Sequence, residues 1–212
     1  MAKGVKNPHN LLPTARAGIR YLWHHSMTAP KEQIILGIDP GTTILGYGII
    51  DCRGSKMKLV CMGNFSLTKL DDHGLKLRAI QQHVVELLEA YMPDSMAIEA
   101  PFYGKNVQSM LKLGRAQGVA IAAAMAREIP YTEYAPKKIK QAITGNGNAS
   151  KEQVAAMLQS LLDIKTLPKN LDATDGVAAA VCHYFNRGQS QSGSNYGSWK
   201  SFLGKNPGRK IG

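Results

Sequence analysis

The stretch IILGIDPGTTILGYGIID, residues 34–51, decides the fold. Two runs rich in Ile and Leu flank Pro-Gly-Thr-Thr, a group that turns a chain sharply, so the stretch reads as two strands of a hairpin. KMKLVCMGNFSL, residues 56–67, adds a third strand after Arg53-Gly54-Ser55, and a three-stranded meander opens the fold. The first run also ends in an acid. Asp39 follows an apolar series that belongs in a core, and its place there needs a reason.

Beyond the meander the period changes. Residues 75–92 put Leu77, Ile80, Val84, Leu87, Leu88 and Tyr91 at helical spacing before Pro93. SMAIEA, residues 95–100, is a short fourth strand. VQSMLKLGRAQGVAIAAAMARE, residues 107–128, is a long helix pattern whose Gly114, Ala116, Gly118 and Ala120 leave little bulk. Another backbone can approach such a helix closely, so it is buried on several sides or lies at a subunit contact. IPYTEY, residues 129–134, is a fifth strand. Ser150 with Gln153 forms a capping-box start for a helix to about Leu162, and a last helix begins near Asp172. The expected fold is α/β, a mixed five-stranded sheet flanked by helices.

Length and charge set the limits. The chain has 212 residues, 44% of them hydrophobic, which suits one domain with tails. No apolar run approaches the roughly 18 to 20 residues that span a bilayer, so no membrane role is expected. Three cysteines without metal-like spacing, and no secretory segment, point to a reducing, cytoplasmic setting. Residues 1–33 read as a basic leader, disordered or non-native, residues 34–188 as the folded domain, and residues 189–212 as a flexible basic tail. The formal charge is +11, of which the two flanks hold +8. Residues 105–151 hold eight basic residues against Glu128 and Glu133, a balance that suits a polyanion such as nucleic acid or simply makes a solvated basic surface.

Three segments carry acids at element ends. Asp39 closes the first strand, Glu99 closes the fourth after Met96, Ala97 and Ile98, and Asp172 and Asp175 lie three apart on one helix face. Each has an ordinary alternative: a turn cap at a strand end for the first two, and the N-cap and N3 positions of a helix for the last pair. Together, four carboxylates at similar places supply hard oxygen ligands for Mg²⁺. Two such ions about 3.5 to 4 Å apart can clamp the attacking and leaving oxygens of a phosphodiester. The histidines are not spaced for zinc.

GIDPGTT (37–43), IEAPFYGKN (98–106), LKLGRAQGVA (111–120), IKQAITGNGNASKEQV (139–154) and DATDGVAAAVCH (172–183) resemble, in order and spacing, the RuvC-type Holliday junction resolvases. The resemblance spans about residues 34–184. It implies an RNase H-like fold and a homodimeric endonuclease with two Mg²⁺ ions per active site, Mn²⁺ substituting. The substrate implied is four-way junction DNA in recombination and repair, beside a branch-migration complex of the RuvA and RuvB type. It also implies that Asp39, Glu99, Asp172 and Asp175 are the metal ligands, with Asp39 bridging. Some relatives have histidine where this chain has Asp172. The family's aromatic wedge falls on Phe102, with Tyr103 and Lys105 beside it in the same DNA-contacting loop, and its lysines near the scissile phosphate fall on Lys140 and Lys151. Lys151 follows the N-cap Ser150, where a cation opposes the helix dipole by about 0.3 to 1 kcal/mol. Ribonuclease H and integrase cores would share the acids on the same fold class, and a non-catalytic DNA-binding module would share the charge. Actin-type phosphotransferases share only the first strand and turn.

Overall fold

The computed structural model describes residues 32–101, 106–168 and 170–186. Strands β1 (Glu32–Asp39), β2 (Ile44–Arg53) and β3 (Lys56–Ser66) form the expected antiparallel meander. Helix α1 (His73–Tyr91) leads to β4 (Ser95–Glu99), and α2 (Val107–Met125) to β5 (Tyr131–Tyr134). Three helices follow: α3 (Pro136–Thr144), α4 (Lys151–Leu161) and α5 (Asp172–Asn186). The strand order is β3-β2-β1-β4-β5, with β1, β4 and β5 mutually parallel, so the mixed five-stranded sheet is as expected.

Local signals account for the helix ends. Asp72 caps α1, accepting the Leu75 N–H at 2.8 Å, and Met92 closes it in the left-handed region at φ 44°. Asn106 caps α2, and the capping box of Ser150 and Gln153 starts α4. Helix α3 starts at Pro136 with no side-chain cap on Ala135, which is why the sequence pattern does not isolate it.

The strand period of two sorts the side chains onto two cores. Leu36, Ile38, Met96 and Ile98 join Ile80, Val84, Leu88 and the alanines of α2 on one face. Ile35 and Ala97 join α3, α4 and α5 on the other. By the same alternation Asp39 and Glu99 project toward the α5 face, at the carboxyl ends of neighbouring parallel strands.

Glycines let α5 lie against the sheet. A Cβ at Gly37 would overlap the Gly176 carbonyl, one at Gly48 would overlap Val177, and one at Gly176 would sit 2.5 Å from the Tyr47 Cα. Gly46, paired with Asp39 across β1 and β2, leaves no room for a Cβ beneath the Asp172 carbonyl. Helix and sheet backbones therefore touch directly, and the first turn of α5 stands over Asp39.

Candidate active site

Asp39 and Glu99 come together through register. Ile38 pairs with Ile98 in the parallel β1–β4 ladder, so the next residue on each strand is an acid on the same face and at the same level. The carboxyl ends of parallel strands are where open α/β sheets hold their ligands. Glu99 pairs with Tyr134 on β5, whose hydroxyl lies 2.9 Å from His183 Nδ1 on α5. That buried bond ties the strand beside Glu99 to the helix carrying the aspartates.

Asp172 and Asp175 occupy the first turn of α5, but their carboxylates do not cap it. The Asp172 N–H donates to Asn170 Oδ1 at 3.0 Å. The aspartate side chains instead accept from one ammonium: Lys151 Nζ lies 3.0 Å from Asp172 Oδ1 and 2.6 Å from Asp175 Oδ2. The capping alternative is thus replaced by an ion pair reaching from the start of α4. Lys151 itself is held by a braced loop. Gln141 donates to the Gly145 carbonyl at 2.7 Å and accepts the Gly147 N–H at 3.0 Å, while Thr144 bridges Lys140 and Asn146.

The electrostatics make one site of these groups. Burial pushes the Asp39 carboxyl up to about 7, with Asp175 and Asp172 adding to the shift and Lys151 opposing it. Burial likewise lifts Glu99 to about 8, with Asp39 and Asp175 adding and Lys151 and Lys140 opposing. Asp175 is raised by burial despite its bond to Lys151. Burial pulls the Lys151 ammonium down, yet its hydrogen bonds to Asp175 and Asp172 outweigh that and hold it above the ordinary lysine range. Two carboxyls near neutrality beside two aspartates are short of positive charge, and their hard oxygen donors fit a divalent cation such as Mg²⁺. Among the described residues no three acids stand close enough to form a finished metal shell.

The pH dependence of stability follows from the raised carboxyls. Each favours the protonated form in the folded state, so its contribution is complete below the ordinary value, 3.8 for Asp39 and 4.5 for Glu99, and is lost as pH rises through about 7 and about 8. Metal-free protein should therefore melt at progressively lower temperature from about pH 4.5 to about pH 8, and Glu99→Gln should flatten the upper part of that fall. Parallel slopes for parent and variant in a series of calorimetric scans would contradict this origin.

Lys140 on α3 reaches the cluster through its field at Glu99 and Asp175. Phe102, Tyr103 and Lys105 lie outside the described residues. Gly41 is required by the turn after β1: a Cβ there would overlap the Ile44 carbonyl. One residue unforeseen from sequence is Gln117, buried on α2, which donates to Glu133 Oε2 at 2.8 Å and to the Glu99 carbonyl at 3.4 Å. Its only sequence signal is an amide on the buried, alanine-rich face of the helix.

Residues 35–183 match the family described as crossover junction endodeoxyribonuclease RuvC. The chain belongs to the RuvC family. The Christiangramia forsetii RuvC is 62% identical over 181 residues, covering 85% of this chain and 94% of that protein, and the Bacteroides fragilis RuvC is 59% identical over 181 residues, covering 84% and 96%. Among solved structures, Thermus thermophilus RuvC in complex with Holliday junction substrate is similar at TM-score 0.69 and 30% identity, over 74% of this chain and 96% of that one. The yeast mitochondrial resolvase Ydc2, at TM-score 0.54 and 16% identity, shares the fold. This RuvC-family chain is a crossover junction endodeoxyribonuclease, which sets aside the ribonuclease H, integrase and non-catalytic readings. No helix among the described residues is long and apolar enough to cross a membrane.

Proposed function

We propose that this chain resolves four-way DNA junctions in recombination and repair by metal-assisted phosphodiester hydrolysis, with Asp39, Glu99, Asp172 and Asp175 as the ligands of two Mg²⁺ ions. The observation that carries this reading is the β1–β4 register, which sets two half-buried acids side by side under the acidic first turn of α5. Held by these four carboxylates, such ions would supply Lewis-acid polarisation of the phosphate and offset charge on the attacking and leaving oxygens, and Mn²⁺ would suit the same oxygen ligands. The four carboxylates hold position because their elements are locked by packing. Lys140 and Lys151 meet the scissile phosphate and offset its charge.

The substrate assignment rests on family membership and on the RuvC–junction complex from T. thermophilus. Labelled four-way junction, linear duplex and RNA–DNA hybrid, each incubated with Mg²⁺ and with Ca²⁺, give the test. The expected result is nicking of the junction alone with Mg²⁺; cutting of the hybrid without the junction would refute the assignment.

A homodimer supplies two such sites for two opposed strands. Helix α2 supports it, since Val107, Leu111 and Met125 are 63%, 50% and 61% exposed. Gly114 and Gly118 fall on the same stripe at helical spacing, and a Cβ at either would meet nothing within 4 Å among the described residues. Burial within the chain does not explain that stripe, and contact with a second copy does. Leu111→Glu should therefore convert the dimer to monomer in light scattering while the melting of the monomer fold is preserved; an unchanged dimer would exclude this face. A branch-migration complex of the RuvA and RuvB type is the partner the family reading carries.

In the proposed mechanism Phe102 acts as a wedge, with Tyr103 and Lys105 contacting DNA in the same loop. Stacking on an exposed ring returns about 1 to 3 kcal/mol per base, part of the cost of opening the junction centre. Phe102→Ala should bind junctions nearly normally and cut them slowly, and a junction already unpaired at its centre should restore the rate. Equal slowness on both substrates would remove the wedge role. Residues 1–31 of the leader and the tail at residues 189–212 lie outside the described residues, whereas Glu32 and Gln33, read as the end of the leader, are the first residues of β1; the assignment of the nuclease domain to residues 34–188 is part of this proposal.

A further inference from the structure

Lys151 sits in an unfavourable place for a lysine unless its partners are counted. It is the first residue of α4, where the helix dipole opposes a cation, and its ammonium crosses to the first turn of α5 to take both Asp172 and Asp175. The root of the side chain is fixed by the Ser150–Gln153 capping box and the braced loop before it. The side chain remains 52% exposed, so the ammonium can leave the aspartates without unfolding α4. The oxygens it holds are two of those assigned above to metal. Two of the three ammonium donors are spent on this pair, so only one is left for a phosphate, and a divalent ion taking the same oxygens competes with the ammonium for them.

We propose that Lys151 is an internal counter-ion that occupies the Asp172–Asp175 pair in the free enzyme and moves to the phosphodiester when DNA arrives, so that the divalent ion loads fully only on the DNA-bound protein. This rests on Asp172 and Asp175 being metal ligands. No bond is made or broken in the exchange. One positive charge leaves a carboxylate pair for a phosphate, and a divalent ion takes its place. By linkage, DNA then tightens metal binding by the same factor as metal tightens DNA binding.

Lys140 gives the control, because it carries the same charge and acts on Glu99 and Asp175 through its field. Ca²⁺ is titrated calorimetrically into the parent protein, Lys151→Met, Lys140→Met and Asp175→Asn, first without DNA. Losing a two-carboxylate contact should tighten Ca²⁺ binding about tenfold in Lys151→Met. Losing only a screened charge should change it less than about threefold in Lys140→Met. With saturating four-way junction, the gap between parent and Lys151→Met should close to within about threefold, since the aspartate pair is then free of an ammonium in both proteins. Equal effects of the two lysine variants, or a gap that persists on DNA, would overturn the proposal. Parent-like Ca²⁺ affinity in Asp175→Asn would overturn the ligand assignment beneath it, a separate result from either. A measurement on the unaltered protein guards against misfolded variants: the ¹⁵N-detected ammonium signal of Lys151 should be present in the free protein and disappear on adding Ca²⁺. Its persistence at saturating Ca²⁺ would also overturn the exchange.

Discussion

Glu99→Gln is expected to lower junction cleavage by about a thousandfold or more while leaving junction binding within a few-fold, because catalytic groups that act as one unit fail together. Glutamine keeps the shape of the side chain at the end of β4, and the backbone around it is held independently. The Ala100 N–H donates to the Tyr134 carbonyl at 2.9 Å, and Gln117 reaches the Glu99 carbonyl. What is lost is one anionic oxygen ligand beside Asp39. Removing a raised carboxyl also relieves an ionisation cost, so the metal-free variant should melt no lower than the parent near pH 8. A nicking assay and a gel shift on one preparation separate the effects. Parallel loss of cutting and binding would mean that Glu99 supports the fold rather than the chemistry.

The second large effect concerns backbone contact. Gly37→Ala inserts a Cβ where the Gly176 carbonyl already lies, with the Ala180 nitrogen 2.6 Å away, and none of these can rotate aside as a side-chain tip could. Overpacking a core typically costs about 1 to 3 kcal/mol, and a clash between two backbones belongs at or above the top of that range. The expected fall in melting temperature is about 6 to 12 °C for a domain of this size. Because α5 must lift to admit the methyl, Asp172 and Asp175 move with it, and cleavage should fall further than the lost stability explains. Gly114→Ala is the comparison: a Cβ there meets nothing within 4 Å among the described residues, and helix propensity favours alanine by about 1 kcal/mol in the monomer. If the two variants melt alike, direct contact between α5 and the sheet is not what fixes the site.

These two expectations also separate what the sequence reveals from what it hides. The meander, the last two strands and the three acidic element ends are legible because each is local: for the strand acids, an apolar run, an acid, then a turn or loop. Helix α3 is not, since it begins at Pro136 after an alanine that makes no cap, and its boundary depends on Ile139 and Ile143 packing beneath α5. The bond of Lys151 to Asp172 and Asp175 spans 21 and 24 residues and exists only after α3, α4 and α5 have docked, so sequence shows a lysine at an awkward helix start and nothing of its partners. Gly37, Gly46, Gly48 and Gly176 read as weak points in strands and a helix. Only the crossing of α5 over β1 and β2 shows them as one contact surface. For Phe102, Tyr103 and Lys105 the family resemblance remains the sole support.

The central claim is that acids from β1, β4 and α5 hold the catalytic metal together, and anomalous scattering from crystals of the junction-bound protein soaked in Mn²⁺ tests it most directly. Two peaks between the carboxylates of Asp39, Glu99, Asp172 and Asp175, with Lys151 turned from the aspartates toward the phosphate, are the expected result. Peaks elsewhere, or Mn²⁺ bound without Asp39 and Glu99 among its ligands, would contradict it.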